Sequence, residues 1–255
     1  MSNIVLEAKH MKKVYNMMTS SEFEALHDIN IQVMEGDFVA VMGPSGSGKS
    51  TFINNISTID IPSGGKVYIN GKEIRSMGAN EIGRFRFQNL GFIFQDFNLL
   101  DTHTLYENIA MPMALAHKSK EVIEKRVNEL AEKMNITPFL QKFPYECSGG
   151  QRQRAAICRA LVNNPSIIVA DEPTGNLDSQ NSAELMKIFS DLNKEGVTIV
   201  MVTHDALVTS YSSRLLYIKD GNIDTVLERG DMDQDTYFQK IVEINSAESR
   251  EILTK

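Results

Sequence analysis

The stretch Gly43-Pro44-Ser45-Gly46-Ser47-Gly48-Lys49-Ser50-Thr51 decides the fold of this chain. It follows the apolar run Phe38-Val39-Ala40-Val41-Met42 and leads into the segment 52–56, so a buried strand turns through a glycine-rich loop into a helix. In that context, a match to G-x-x-x-x-G-K-[ST] predicts a phosphate-binding loop. The glycines let successive backbone N–H groups point at one anion, and the helix that begins here adds the positive end of its dipole.

Two side chains of this loop have expected roles in binding a nucleotide. Lys49 is placed to reach the outer phosphates, and the Ser50 hydroxyl is placed to ligate Mg²⁺. The loop alone leaves the class open, because kinases, GTPases, transporter ATPases and DNA-repair ATPases all use it. The segment 193–196 does not favour a GTPase, since Gly196 stands where the guanine-reading N-K-x-D pattern needs an aspartate.

The length and charge of the chain limit the remaining classes. Its 255 residues suit one large domain or two small ones, and the formal net charge of −7 argues against nucleic-acid binding through a broad basic face. Residues 1–7 meet a charge too early for a signal peptide, and no run approaches the roughly 18 apolar residues of a membrane span. We therefore expect a soluble, cytoplasmic protein. Cys147 and Cys158 suit a reducing compartment, and on one helix they would be about 16 Å apart, too far to bond.

Hydrophobic patterns predict two kinds of β-structure. Alternation over 3–35 and a tight turn at Asn70-Gly71 after 66–69 predict short antiparallel strands in an edge sheet. Continuous apolar runs at 90–94, 166–170 and 198–202 predict strands buried on both faces. Each of these runs is followed by polar residues, which are Gln95, Asp171-Glu172 and Thr203-His204-Asp205. Ligands bind at the carboxyl edge of an open α/β sheet, and two carboxylates there are costly unless they hold a metal or do chemistry.

Helical patterns fill the segment 102–164. Apolar residues recur on one face of an amphipathic helix, at Ile123, Val127, Leu130, Ala131 and Met134. A second helix is expected over 155–162, after Ser148-Gly149-Gly150-Gln151. Ser148 is a good N-cap and the two glycines expose the helix start, which predicts a second anion site. Further helices are expected over 183–192 and in the tail 237–244, with a hairpin over 215–224 between them.

The order of these motifs resembles the ATP-binding cassette (ABC) ATPases along nearly the whole chain, and the Ser-Gly-Gly-Gln element at 148–151 is specific to that family. The resemblance implies an α/β fold, with a P-loop NTPase parallel core sheet, an antiparallel β edge subdomain and an inserted α-helical subdomain at about 97–164. These parts would form a nucleotide-binding domain over 1–230, followed by a C-terminal helical extension over 231–255.

The resemblance also implies the roles of individual residues in binding ATP and Mg²⁺. Tyr15, which by its position alone reads as strand packing, becomes the aromatic that stacks on adenine. Lys49 and the amides of the loop hold the phosphates. Ser50 and Asp171 hold Mg²⁺, and Gln95 links the metal site to the helical insertion. By the same resemblance, Glu172 is the base that polarises the attacking water. His204 contacts the γ-phosphate, and Asp178 lies at the subunit interface.

The family arrangement is a head-to-tail dimer, so a chain with one cassette is expected to work as a homodimer. In it, the helix that begins with Ser148, Gly149, Gly150 and Gln151 closes on ATP bound by the loop of the other chain. Cys147 departs from the leucine usual in the family. Because cysteine is a small apolar residue, we expect altered packing rather than lost ATP binding.

Softer features indicate a subgroup. The stretch 172–178 resembles macrolide-exporter, lipoprotein-releasing and cell-division ATPases, whereas 91–101, 211–222 and the helical tail look more like ATPases of bacitracin-type antimicrobial-peptide resistance transporters. The latter implies a membrane permease, often a sensor histidine kinase reached through it, and a place on the inner face of the membrane. The alternatives are a force-transmitting cell-division or lipoprotein-releasing ATPase and a soluble ABC protein acting on DNA or ribosomes. A single acidic cassette without room for a long coiled coil does not favour the last.

Overall fold

The computed structural model describes residues 3–253, and two β-sheets organise that part of the chain. The strands in chain order are β1 (Ile4–Tyr15), β2 (Phe23–Met34), β3 (Phe38–Met42), β4 (Gly64–Ile69), β5 (Lys72–Glu73), β6 (Leu90–Phe94), β7 (Ile167–Asp171), β8 (Ile199–Val202), β9 (Arg214–Lys219) and β10 (Asn222–Glu228). An antiparallel sheet has the order β2-β1-β4-β5, and a second sheet has the order β10-β9-β3-β8-β7-β6. The predicted edge sheet and core sheet are both confirmed, although β1 and β2 have 12 residues each and are not short.

The core sheet carries its polar residues to one edge. Strands β3, β8, β7 and β6 pair in parallel, with Asp171 opposite both Phe94 and Val202. Every residue of β3 and β8 is buried, as the continuous apolar runs predict. Because these strands run in one direction, the segments that follow them all emerge at the same edge of the sheet.

The helices in chain order are α1 (Lys49–Ile56), α2 (Ala79–Asn89), α3 (Leu105–Leu115), α4 (Lys120–Lys133), α5 (Gly149–Leu161), α6 (Ser179–Lys194), α7 (Ala206–Thr209) and α8 (Gln234–Leu253). Two of them begin earlier than the apolar patterns predict, at Gly149 instead of 155 and at Ser179 instead of 183. In both cases the first turn is polar or glycine-rich, and the side chain before it caps the helix. Hydrophobic periodicity does not reveal such a turn.

Helices α3, α4 and α5 pack together within the segment predicted to be helical. The apolar face predicted for α4 is confirmed, because Val127, Leu130, Ala131 and Met134 are buried in the core that these helices share with α6 and one face of the sheet. Cys158 is buried inside α5, whereas Cys147 precedes that helix. The two cysteines therefore do not share a helix, although their predicted separation assumed one, and neither forms a disulfide.

The C-terminal helix α8 packs on the body of the protein. Tyr237 and Ile241 are fully buried against Met42, Leu215 and Tyr217, and Met42 is the last residue before the phosphate loop. Residues 1, 2, 254 and 255 lie outside the described residues. They are the first residues of the predicted domain 1–230 and the last residues of the predicted extension 231–255. Over the described range, each helix is too short or too polar to cross a lipid bilayer.

Candidate functional site

The loop between β3 and α1 has a backbone that only glycine can adopt at key positions. Gly43, Gly46 and Gly48 have φ values of 150°, 79° and 103°. A Cβ on Gly43 would lie 1.9 Å from the Ile218 carbonyl oxygen, and a Cβ on Gly48 would lie 2.7 Å from the Ala25 carbonyl oxygen. Gly48 is the N-cap of α1 and supplies no side-chain cap. The helix start therefore presents backbone N–H groups, which is the geometry of an anion cradle.

Two side chains in this loop complete the cradle. The Lys49 ammonium donates to the carbonyl oxygens of Gly43 at 2.8 Å and Pro44 at 2.7 Å, so its charge lies across the loop. Ser47 is 3% exposed, and its Oγ makes no hydrogen bond within residues 3–253. A buried hydroxyl without a partner costs about 1–3 kcal/mol. An oxygen of a bound phosphate would satisfy it, so the residues present fit the triphosphate of a nucleotide.

Glu172 lies at the edge where β7 ends, in a strained conformation. Its φ of 46° is in the left-handed region, and its backbone N–H donates to the Val202 carbonyl oxygen at 2.9 Å. One carboxylate oxygen, Oε1, lies 2.9 Å from His204 Nδ1. The other, Oε2, is buried and makes no hydrogen bond inside the described part of the chain. A strained backbone that holds a buried carboxylate oxygen without a partner is typical of a reaction site.

Asp171 precedes it as the last residue of β7. Burial raises the pKa of its carboxyl, the charge of Glu172 raises it further, and the charge of Lys49 lowers it. Asp171 is therefore within electrostatic range of Lys49 in the phosphate loop. Two adjacent acids in a partly buried position repel each other unless a cation is bound, so the donor set, with the Ser50 hydroxyl on the first turn of α1, fits a hard divalent ion such as Mg²⁺.

Gln95 follows β6 and is joined to the segment after Glu172. Asn176 donates through Nδ2 to the Gln95 carbonyl oxygen at 3.1 Å and to Asp96 Oδ1 at 2.7 Å. A Cβ on Gly175 would lie 2.9 Å from Gln95 Nε2, so the Gln95 side chain packs directly against the backbone at Gly175. The structure thus brings Gln95 into contact with the segment 173–178.

The second predicted anion site has a different geometry. Ser148 Oγ accepts a hydrogen bond from the Gln151 N–H at 3.3 Å, and Gln151 Oε1 accepts one from the Ser148 N–H at 3.0 Å, which is a complete capping box. A Cβ on Gly149 would lie 3.5 Å from the Leu177 side chain, and a Cβ on Gly150 would lie 2.8 Å from Asn181 Oδ1. The neighbours described for this helix start are therefore in the segment 173–181, not in the loop 43–51.

Asp178 lies in the same segment as the N-cap of α6. Its Oδ1 accepts from the Asn181 N–H at 2.8 Å and its Oδ2 from Asn181 Nδ2 at 2.7 Å. These hydrogen bonds lower the pKa of the Asp178 carboxyl. The side chain is thus already engaged within its own chain, where it caps the first turn of α6.

Tyr15 lies at the end of β1 in a half-buried position. Its hydroxyl donates to Asp60 Oδ2 at 3.2 Å, and the Lys13 ammonium lies 5.0 Å from the centre of its ring. Sequence reasoning missed both neighbours. Lys13 and Tyr15 are two residues apart on one strand and so share a face, which is a signal that the sequence carries.

Sequence reasoning also missed two arginines of α5 that hold the loop after Gln95. Phe97 and Asn98 both have positive φ, 62° and 48°. Arg159 donates to the carbonyl oxygens of both residues, at 2.7 Å for Phe97, and the Arg152 guanidinium lies 5.2 Å from the centre of the Phe97 ring. This loop is therefore fastened to the helix that begins at the second anion site. The pattern of residues gives no local signal for a contact so distant along the chain.

The family model described as ABC transporter matches residues 26–175, which is more than half of the chain. This chain belongs to the ABC transporter family, and it is an ATP-binding, ATP-hydrolysing subunit of that family. The match covers the phosphate loop, the helical segment and the two carboxylates at the end of β7.

Curated relatives and solved structures extend the match over nearly the whole chain. The ABC transporter ATP-binding protein YxdL of Bacillus subtilis is 45% identical over 243 residues, which are 95% of this chain and 93% of that protein. The bacitracin export ATP-binding protein BceA of Halalkalibacterium halodurans is 43% identical over 239 residues, 93% of this chain and 94% of that protein. The dimeric ATP-binding cassette MJ0796 of Methanocaldococcus jannaschii, bound to ADP and Pi, superimposes with a TM-score of 0.80 and 38% identity, covering 88% of this chain and 98% of that one.

Proposed function

We propose that this protein drives a membrane permease for antimicrobial-peptide resistance or export of the bacitracin type. The observation that carries the proposal is the 43% identity to the bacitracin export protein BceA, which extends over 93% of this chain. The match includes residues outside the motifs that all ABC ATPases share, so it bears on the subgroup. The proposal puts the protein on the cytoplasmic face of the membrane, with a sensor histidine kinase as a further partner through the permease.

The site residues have the following proposed roles. Lys49, with the amides of the loop 43–51, holds the β- and γ-phosphates, and Tyr15 stacks on adenine. Ser50, Asp171 and Gln95 would hold Mg²⁺, which would neutralise charge on the phosphates. His204 contacts the γ-phosphate. The support for these roles, apart from that of Tyr15, is the position of the side chains at one edge of the core sheet and the fit of the cradle.

Glu172 is the proposed general base. Its Oε1 is held by His204 Nδ1 at 2.9 Å, and its buried Oε2 is the oxygen left to accept a hydrogen bond from the attacking water. The left-handed backbone at Glu172 fixes the direction of this carboxylate. Phosphoryl transfer needs this kind of positioning more than covalent chemistry by the protein.

We also propose that two copies form a head-to-tail sandwich. In one chain, the neighbours described for Gly149 and Gly150 lie in the segment 173–181, which supports a second copy as the source of the helix start that reaches the triphosphate. The dimeric state of the structurally similar MJ0796 cassette supports this arrangement. Asp178 lies beside the helix start and would then be at the subunit interface.

The permease would dock in a groove beside Gln95. The groove has a volume of about 370 Å³ and is formed by α2, β6, α3 and α5, with apolar side chains and two arginines in its wall. Its members include Arg86, Phe87, Phe92, Pro112 and Arg159. Arg159 also holds the loop after Gln95. A permease segment bound in the groove would therefore contact the loop that follows a proposed Mg²⁺ ligand.

The catalytic proposal is tested with Glu172→Gln, by light scattering after size-exclusion chromatography with and without Mg²⁺-ATP. We expect a shift from monomer to dimer with ATP and a loss of hydrolysis of about 10²- to 10⁴-fold. Lys49→Ala is the matched control, which should show neither binding nor dimer. Unchanged turnover of Glu172→Gln would remove it as the base.

The transport proposal is tested in a bacitracin-sensitive Gram-positive host that lacks its own export ATPase. The chain is expressed together with the permease of a bacitracin-type transporter, and wild type is compared with Glu172→Gln. We expect resistance with wild type alone. Equal sensitivity in both strains, with ATPase activity intact, would exclude bacitracin-type peptides and favour a force-transmitting system.

A further inference from the structure

The proposed adenine-stacking residue Tyr15 is surrounded by an unusual charged cluster. Lys13 is 9% exposed, which is rare for a lysine. Its ammonium donates to Asp60 Oδ1 at 2.6 Å and to the Ile61 carbonyl oxygen at 2.9 Å. The same nitrogen lies 5.0 Å from the centre of the Tyr15 ring. A buried ammonium is costly unless it is paired, and here a carboxylate, a carbonyl and an aromatic face provide the pairing.

Asp60 binds both other members of the cluster. Its Oδ1 accepts from Lys13, and its Oδ2 accepts from the Tyr15 hydroxyl at 3.2 Å. Burial acts to raise the pKa of Asp60, but the hydrogen bonds from Lys13 and from the Ile61 N–H lower it below the ordinary value. Asp60 is therefore an anion in the folded protein, bound to two groups of β1 that are far from it in sequence.

The cluster is joined to the helix of the phosphate loop. The Asp60 N–H donates to the Asn54 carbonyl oxygen at 3.0 Å, in the last turn of α1. Helix α1 begins at Lys49, so the two ends of one helix carry the phosphate cradle and the support of Tyr15. The position of the ring is thereby set relative to the loop that holds the phosphates.

From these contacts we infer that Lys13 and Asp60 are positioning residues, which hold the Tyr15 ring in the orientation that stacks on the base of the nucleotide. This inference rests on the proposed adenine-stacking role of Tyr15. The ammonium restrains the ring at its face and the carboxylate restrains it at its hydroxyl. Together they fix a side chain whose half-buried position leaves ring surface available to the base.

The test compares two ligands that share the phosphates and differ in the base. The full-length protein is titrated calorimetrically with Mg²⁺-ATP and with Mg²⁺-tripolyphosphate, which has no base. Lys13→Met should weaken ATP binding about 3- to 10-fold, which lies between the values expected for exposed and for desolvated cation–π contacts, and should leave tripolyphosphate binding within about twofold. Lys13→Arg should restore most of the ATP affinity, because guanidinium also binds a carboxylate and a ring face.

Two further variants separate positioning from folding. Lys13→Met leaves Asp60 without its ion pair, so the double variant Lys13→Met/Asp60→Asn removes both charges and should show the same selective loss for ATP. In a Tyr15→Ala background, Lys13→Met should cause no additional loss. Equal weakening of ATP and tripolyphosphate by Lys13→Met would overturn the inference, since it would show a general disturbance of the phosphate loop.

The outcome for Tyr15→Ala distinguishes this inference from the proposed function. If Tyr15→Ala weakens ATP selectively and Lys13→Met does not, Tyr15 stacks on the base without help from Lys13, and the inference alone is wrong. If Tyr15→Ala leaves the affinity for ATP unchanged, the stacking role itself is wrong and the inference falls with it.

Discussion

The helix starts at Lys49 and at Gly149 look alike in sequence and differ in structure. Both follow glycines or begin with them, and both are predicted anion sites. The first has Gly48 as its N-cap and no side-chain cap, and the Ser47 hydroxyl in its loop has no hydrogen-bond partner among residues 3–253. The second is closed by the reciprocal hydrogen bonds of Ser148 and Gln151.

The difference shows that the second start uses two of its N–H groups within its own chain, whereas the first start has no side-chain cap. At the first start, N–H groups and a hydroxyl need a partner that a phosphate would supply. At the second, the capping box pairs the N–H groups of Ser148 and Gln151, so fewer donors are left for an anion than at the first start. We infer an order of events in which the loop 43–51 binds ATP first and the Ser148 helix of a second copy binds afterwards.

The largest effect should come from removing the lysine at the first start. Lys49→Ala loses the charge that lies across the loop, together with its hydrogen bonds to Gly43 and Pro44. We expect the Kd for Mg²⁺-ATP to rise at least about 100-fold, which corresponds to about 3 kcal/mol. Isothermal titration on the isolated chain measures this, with thermal unfolding as the check on the fold. Tight ATP binding by Lys49→Ala would contradict the assignment of the first site.

Much of this comparison could be predicted from the sequence, for a physical reason. The glycines of 43–48, the apolar run before them and Ser148 act through local backbone geometry, which depends on neighbouring residues. The sheet and its polar edge also follow from local patterns, because buried parallel strands are continuous apolar runs.

What could not be predicted depends on contacts between distant segments. The sequence does not indicate that Arg159 holds the loop after Gln95, or that Asp60 holds Tyr15, because each pair is formed only by the tertiary fold. The sequence predicts that Ser148 is the N-cap of its helix. It does not predict that the Gln151 side chain accepts a hydrogen bond from the Ser148 N–H, because Gln151 is predicted only to contact the nucleotide. The starts of α5 and α6 differ from the prediction because a polar first turn carries no hydrophobic signal.

The second-largest effect is expected from a substitution at Ser148. It tests whether the role of Ser148 as a helix cap can be separated from its predicted role in binding a phosphate. Ser148→Asp keeps a good N-cap but puts a negative charge where a phosphate of the partner's nucleotide is to bind. We expect the free energy of unfolding to stay within about 0.5 kcal/mol of wild type. The ATP-dependent dimer of the Glu172→Gln protein should nevertheless be lost. Light scattering and urea denaturation measure the two quantities on one protein.

Ser148→Ala is the matched variant for the cap itself. It removes the hydroxyl that accepts from the Gln151 N–H, so the unfolding free energy should fall by about 1 kcal/mol. The Kd for ATP of the isolated chain should change less than about twofold, since the loop 43–51 is untouched. A weakening of ATP binding in the monomer would show that the two helix starts cooperate within one chain, against the comparison made above.

A smaller effect should appear in the pH dependence of stability near the first site. The pKa of Asp171 is raised above its ordinary value of 3.8, first by burial and then by the charge of Glu172. The folded state therefore keeps this proton more tightly than the unfolded state, and its stability falls as pH rises above 3.8 through the raised pKa. Asp171→Asn should remove that loss, so the difference in unfolding free energy between variant and wild type should grow with pH in the absence of nucleotide and Mg²⁺. A difference that is constant between about pH 4 and 7 would contradict the charge repulsion at this edge.

The smallest effect is expected at Cys147, the one departure from the family noted at the second helix start. The Cys147 N–H donates to the Pro144 carbonyl oxygen at 3.1 Å, and neither hydrogen bond of the capping box uses its side chain. Its thiol is half-buried beside the core of the helical segment, so a larger leucine side chain can extend along the surface. Cys147→Leu should change the unfolding free energy by less than about 1 kcal/mol and the ATP-dependent dimerisation constant by less than about threefold. If Cys147→Leu instead tightened the dimer of the Glu172→Gln protein tenfold or more, Cys147 would weaken the second site. The difference between the two helix starts would then depend on this residue as much as on the capping box.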